Sequence, residues 1–168
     1  VAPLAITTPI AACNGGMLVK PDPSAIEDLV LAAHVVAPLI ETIRRHDLDV
    51  WVYRGTDWFV RDVDAPHVAR EQDTVCFPPT VVSAFTDVQE RVVKIVGVGD
   101  DLSVVVRCED EVRKQFGDHV SAARSQPYYL DVTHPNANKG AVVRYLSKLF
   151  TIPTGQIAPV GDMPNDVL

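Results

Sequence analysis

The stretch GDMPNDVL, residues 161–168, places Asp162, Asn165 and Asp166 within five positions of one another. Two readings fit so much acid and amide in so short a span. Proline, glycine, asparagine and aspartate all favour turns, so the segment suits a surface turn. The same groups also suit a metal and phosphate site. A hard cation such as Mg²⁺ takes one or two protein carboxylates together with phosphate and water. In that reading Asp162 ligates the metal directly. Asp166, four residues on, serves as a further ligand or as an acceptor behind one. Asn165 offers an amide donor to a phosphate oxygen.

A second group belongs with these by chemistry. Lys139 opens the segment KGAVVRYLSKLF, which reads as a helix. A cation at a helix N-terminus is mildly unfavourable, because that end already carries partial positive charge. It becomes favourable once an anion docks, when helix N–H groups, dipole and ammonium all act together. The plain alternative is a solvated surface lysine.

These groups need elements to position them. Residues 10–20, IAACNGGMLVK, read as two short strands around a tight turn at Asn14-Gly15. A polar, proline-bearing link follows at 20–28. APLIETIRRHDL suits a helix with Pro38 in its first turn and a stripe of Leu39, Ile40, Ile43 and Leu48. DVWVYRGTDWFVRD alternates as two strands hinged at 54–57, which would set Trp51, Tyr53 and Trp58 on a partly exposed face. DAPHVAREQDTV suits a short helix capped by Asp64, with Pro66 near its start. FPPTVVSAF must be extended, since paired prolines forbid a helix.

RVVKIVGVG reads as a strand, and DDLSVVVRCEDEVRKQFGD as a helix capped by Asp100 or Asp101 and ended by Gly117. HVSAARS and YYLDVTH read as an antiparallel pair joined near Gln126-Pro127. The lysine helix is capped by Asn136 or Asn138 and carries an apolar face of Val142, Val143, Leu146, Leu149 and Phe150. QIAPVG then reads as a short buried strand. Residues 128–161 would thus form a parallel strand–helix–strand crossover, whose last strand delivers Asp162 at its carboxyl end, where α/β sheets gather ligands.

Composition sets the outer bounds. Of the 168 residues 47% are apolar and 22% charged, enough for a packed core. The net charge of −7 and the scattered basic residues argue against a nucleic-acid partner. No apolar run is long enough to cross a bilayer, so no membrane partner is expected. The opening residues lack a signal peptide's basic region and an initiating Met, and read as the interior of a longer protein. Cys13, Cys76 and Cys108 are odd in number and form no CxxC, so reduced thiols and a cytoplasmic location are expected. The five histidines show no metal-ligand spacing.

DVTHPNANKGAVVRYL followed by IAPVGDMPNDVL, together with the early ITTPIAACNGGMLV, resembles the Cof-type branch of the haloacid dehalogenase-like (HAD) phosphatases. In that family a lysine opens a helix as the third motif and GDxxND forms the fourth. Lys139 and residues 161–166 match them. The resemblance implies an α+β cap domain inserted in an α/β, Rossmann-like core. Residues 1–18 would be the junction strand, 19–127 the substrate-selecting cap and 128–168 the C-terminal part of a core that is incomplete in this chain. It implies Mg²⁺ as cofactor, held by Asp162, and Lys139 and Asp166 as catalytic residues. Lys139, Asn165, Asn14 and Gly15 fall to substrate binding. The partner is a small phosphorylated metabolite; oligomeric state is left open.

The departure lies in the nucleophile. The family's DxDGT sequence is missing: DVDAP at 62–66 has the DxD spacing but sits within the cap, and Thr7 and Thr8 lie too close to NGG to supply the second motif. An aspartate outside this chain would therefore attack phosphorus and form an aspartyl-phosphate, and the 168 residues alone are expected to be inactive. The function implied is Mg²⁺-dependent hydrolysis of small phosphate esters, chiefly sugar phosphates. A phosphomutase or phosphotransferase using the same site, and a non-catalytic ligand-binding cap fragment, are the alternatives. Trp51, Tyr53, Trp58 and Arg54 either meet substrate or pack the cap's own sheet. His134 either faces the site or lies in a loop.

Overall fold

Strand alternation sorts the side chains of this protein onto two unlike faces. The computed structural model describes residues 5–22, 24–161 and 166. A small antiparallel sheet comes first, from β1 (Ile10–Ala12), β2 (Met17–Val19) and β3 (Ala25–Asp28). The expected hairpin is present, with Ile10 opposite Val19 and Ala12 opposite Met17. The link at 20–28 was expected to be irregular. It contributes β3 instead, with Glu27 opposite Leu18, because the edge of β2 offers backbone partners that composition does not reveal.

The larger sheet has six strands: β4 (Asp49–Arg54), β5 (Asp57–Val60), β6 (Thr80–Val81), β7 (Lys94–Val98), β8 (Ser121–Gln126) and β9 (Tyr129–Thr133). Their order is β6-β5-β4-β7-β9-β8, antiparallel throughout except for the β5–β6 pair. Two helices, α1 (Ala33–Arg45) and α3 (Leu102–Phe116), cover one face. There Val50, Val52, Phe59, Ile95, Leu130 and Val132 meet Val36, Leu39, Ile43, Val105, Cys108 and Val112. Burial at this scale contributes about 1.5–3 kcal/mol per large apolar side chain. Burial, followed by the charge of Glu111, pushes the Cys108 thiol up to about 12, so it behaves as a small hydrophobe.

The opposite face presents Trp51, Tyr53, Trp58, Val60, Val96, Val98 and Tyr129, with Met17 and Val68 packed on it. Val68 belongs to α2 (Val68–Val75). The tryptophans and Tyr53 were expected on a partly exposed face. They are buried at 1%, 6% and 1% exposure for Trp51, Tyr53 and Trp58, and ring contacts of 5.4–5.9 Å join them. The sheet's second face is thus a second core rather than a solvated surface.

Helix limits follow burial and capping. α1 starts four residues before the expected point because Val35 and Val36 extend the buried stripe backwards. Pro38 consequently sits inside the helix, not in its first turn, and its carbonyl accepts the Thr42 hydroxyl at 2.9 Å. Asp64 does not cap α2. His67, in a left-handed conformation, precedes the helix, and Asp64 donates its N–H to Asp62 in a turn of its own. α3 has the expected ends: Asp101 Oδ1 accepts from the N–H groups of Ser103 and Val104, and Gly117 has φ +48°.

The final segment departs furthest from expectation. β9 pairs antiparallel with both β7 and β8, so residues 129–133 belong to the six-stranded sheet. A boundary at 127/128 would cut the β8–β9 hairpin. α4 (Lys139–Phe150) follows, but residues 157–161 form no strand, and Val160 is 97% exposed. The strand–helix–strand crossover is therefore not formed among the described residues. An apolar run becomes a strand only beside another strand, and among the described residues none pairs with IAPV.

Candidate functional site

α4 begins where the sequence sets it. Asn138 is extended, and its Oδ1 accepts from Ala141 N at 2.8 Å, which fixes the first turn. Lys139 is thereby the first helical residue, and its side chain remains nearly half exposed. Its ammonium pairs with the carboxylate of Asp166 across 27 residues of sequence. Two of the expected catalytic residues are thus brought together. Asp162 and Asn165 lie outside the described residues. Among the described residues no group of three His, Cys, Asp or Glu side chains converges as a metal site.

The Asn14-Gly15 turn joins this helix end to the sheet. Cys13, Asn14 and Gly15 all have positive φ, at 51°, 55° and 94°. A Cβ on Gly15 would stand 2.8 Å from Val142 Cγ2 and 3.1 Å from the Asn138 carbonyl oxygen, so the turn lies directly against the first turn of α4. Asn14 reaches the other way, its Nδ2 donating to Asp131 Oδ2 at 2.7 Å. His134 is a loop residue, its Nδ1 accepting from Asn136 N at 3.1 Å.

Asp131 opens a polar group that the motifs did not disclose. Period-2 alternation along β9 turns Tyr129, Asp131 and Thr133 to one face. Register then places Lys94 of β7 opposite both Thr133 of β9 and Tyr53 of β4. Lys94 Nζ lies 3.8 Å from Asp131 Oδ2 and 4.3 Å from the centre of the Tyr53 ring. The Tyr53 hydroxyl donates to Glu71 Oε1 of α2 at 2.7 Å. Burial alone would lower the Lys94 pKa, but the charges of Asp131, Cys13 and Glu71 more than offset it and hold the ammonium above its ordinary value. Tyr53 is pushed up by burial and then by Glu71, and stays a neutral donor. Burial likewise raises the Cys13 thiol. A signal for this group was present in the sequence: Lys94 and Asp131 are charged residues inside two otherwise apolar strands. Trp51, Tyr53 and Trp58 pack the sheet, while Arg54 lies over the Phe59 ring at 5.0 Å.

No described helix is long and apolar enough to cross a membrane. A Haemophilus influenzae protein named as a candidate phosphatase is 23% identical over 159 residues, or 94% of this chain and 59% of the relative. The chain therefore spans less than two thirds of that relative's length. Its fold is similar to that of a haloacid dehalogenase-like hydrolase from Bacteroides thetaiotaomicron, with TM-score 0.80 and 24% identity over 98% of this chain and 65% of that one. A sugar phosphatase of HAD subclass IIB aligns with TM-score 0.65 and 14% identity, over 83% of this chain and 52% of its own. The sequence model of the haloacid dehalogenase-like hydrolases matches from residue 1 to residue 168, and the chain belongs to that family.

Proposed function

We propose that this chain carries the substrate-selecting cap and part of the active site of a Mg²⁺-dependent phosphatase acting on small phosphate esters, with sugar phosphates as the substrate class. The observation that carries the reading is the meeting of Lys139, at a capped helix N-terminus, with Asp166. Helix N–H groups, dipole and ammonium there offer one anion site of the kind a phosphate takes. The six-stranded sheet and its helices form the cap, up to the end of β9, and the lysine helix and the 161–166 segment belong to the α/β core. The relative named as a candidate phosphatase and the similar fold of the sugar phosphatase support the reaction and the substrate class.

In the intact protein Lys139 stabilises the equatorial oxygens of the transferring phosphoryl group. Asp166 holds the ammonium in place through the pair described above. Asn165 donates to a phosphate oxygen. The chemistry of the donor set fits a hard divalent cation. Asp162 would hold it, since the Asp166 carboxylate is already turned to Lys139. When bound, Mg²⁺ neutralises phosphate charge. The nucleophile is an aspartate beyond the motifs of this chain. Its oxygen bonds to phosphorus as the alcohol leaves with a proton from a second carboxyl, and water then cleaves the aspartyl-phosphate.

The test is Lys139→Ala in the intact protein with glucose 6-phosphate as substrate. Loss of one charge-stabilising donor predicts a fall in turnover of about 10²-fold or more. Free phosphate as product separates hydrolysis from transfer to a second sugar. An unchanged rate would refute the assignment and leave Lys139 a surface lysine.

A further inference from the structure

The large sheet splits at one end of β4. That strand pairs with β7 from Asp49 to Tyr53, but with β5 only from Val52 to Arg54. At its end β5 stays with β6 instead, and the Val60 carbonyl accepts from Val82 N–H at 2.9 Å. Residues 49–51 therefore have no ladder partner on their β5 side, where buried backbone groups ordinarily find one. A cleft of about 320 Å³ opens there, bounded on one side by residues 49–51 and on the other by residues 60–62. It lies at the end of β4 remote from Tyr53 and Lys94, and its volume is at the lower limit of small-ligand sites.

The lining divides into buried apolar residues and exposed charged ones. Leu48, Val50 and Phe85 are buried. Arg44, Asp49, Arg61 and Asp62 are exposed and bring two charges of each sign to the same cleft. Those charges do not satisfy one another. Arg44 pairs with Glu41 at 3.8 Å, and Asp62 accepts the Asp64 N–H at 2.9 Å. Among the described residues Arg61 and Asp49 make no ion pair and no side-chain hydrogen bond. Partial desolvation, followed by the charge of Asp62, raises the Asp49 carboxyl, so the two carboxylates repel each other without a cation to relieve them. Trp51 on the same wall is 1% exposed, and its indole N–H has no hydrogen-bond partner among the described residues.

Charge and burial together narrow the ligand. A lone anion would meet Asp49 and Asp62, and a lone cation would meet Arg44 and Arg61. A molecule carrying both charges satisfies both pairs. We propose that this cleft binds a small apolar α-amino acid as its zwitterion. Arg61 and Arg44 take the carboxylate, Asp49 and Asp62 take the ammonium, and the side chain lies on Leu48 and Phe85.

The test is calorimetric titration of the chain with three probes of one carbon skeleton. L-leucine carries both charges, 4-methylpentanoate lacks the ammonium and 3-methylbutylamine lacks the carboxylate. A hydrogen bond to a charged group, taken at its lower end because the lining charges are exposed, predicts that leucine binds about tenfold tighter than either analogue. Arg61→Gln should weaken leucine and 4-methylpentanoate about tenfold and leave 3-methylbutylamine unchanged. Asp49→Asn should weaken leucine and 3-methylbutylamine and leave 4-methylpentanoate unchanged. Both substitutions fall at exposed positions, so each variant reports on the ligand rather than on folding. Binding of 3-methylbutylamine as tight as that of leucine would reduce the cleft to a cation site and overturn the assignment. Failure of leucine to bind at millimolar concentration, or unchanged leucine affinity in both variants, overturns it as well.

Discussion

Replacing Gly15 by alanine puts a methyl group where two elements already touch. The residue has φ +94°, which an L side chain rarely adopts, and its new Cβ would lie 2.8 Å from Val142 Cγ2 and 3.1 Å from the Asn138 carbonyl oxygen. The backbone contribution is about 1–2 kcal/mol for a left-handed conformation. Overpacking adds about 1–3 kcal/mol, because the carbonyl belongs to the cap of α4 and cannot rotate aside. The expected loss is therefore about 2–5 kcal/mol. Gly55 supplies the control. Its φ is +58° and a Cβ there meets nothing within 4 Å, so Gly55→Ala should show only the backbone part. Urea unfolding of both variants separates the two contributions. Val142→Ala in the Gly15→Ala background should recover part of the excess, since it removes the closer of the two obstacles. Equal losses for Gly15→Ala and Gly55→Ala would show that the turn does not press on α4, and would break the link between hairpin and lysine helix.

Two further outcomes follow from ion pairs and burial. Glu109 is 7% exposed at its side chain and holds Arg113 and Arg124 at 2.7 Å each, tying α3 to β8. Glu109→Ala should destabilise by about 2 kcal/mol in urea unfolding, below the usual cost of breaking a buried pair because both arginines can regain water; a loss under about 0.5 kcal/mol would refute the tie. Asp49 lies at the exposed start of β4, where partial desolvation, followed by the charge of Asp62, raises its carboxyl above the ordinary aspartate range. A raised acid binds more protons folded than unfolded, so its ionisation works against the fold as pH rises above the ordinary range. Asp49→Asn should stabilise at about pH 7 and not at about pH 3, below both values; a gain of equal size at both would refute the burial argument.

The parts of the fold that were legible in the sequence are those governed by local chemistry. Asp101 and Gly117 set the ends of α3 because a cap and a left-handed stop act within one turn. Asn138 and Lys139 set the start of α4 for the same reason, and Asn14-Gly15 set the first hairpin. What escaped depends on neighbours far along the chain. β3 exists because β2 lies beside it, whereas IAPV pairs with no strand among the described residues. The paired charges of Lys94 and Asp131 stand 37 positions apart and meet only through the β7–β9 register, so neither one alone advertised a site.

The two faces of the large sheet carry different physical burdens. Beneath α1 and α3 the alternating residues of the central strands are apolar, and the Glu109–Arg124 pair joins α3 to β8 at the sheet's edge. The other face could have been filled the same way. Instead its centre holds an ammonium 3.8 Å from a carboxylate and, among the described residues, a tyrosine hydroxyl and one oxygen of that carboxylate without a hydrogen-bond partner. Desolvating such groups costs several kcal/mol unless hydrogen bonds return it, and at 3.8 Å this pair makes none. The surrounding charges offset the burial of the ammonium and hold it above its ordinary pKa. The same carboxylate that faces Lys94 also accepts from Asn14, in the turn that abuts the first turn of α4. Polar groups thus interrupt the packing of this face next to the N-terminus of the lysine helix.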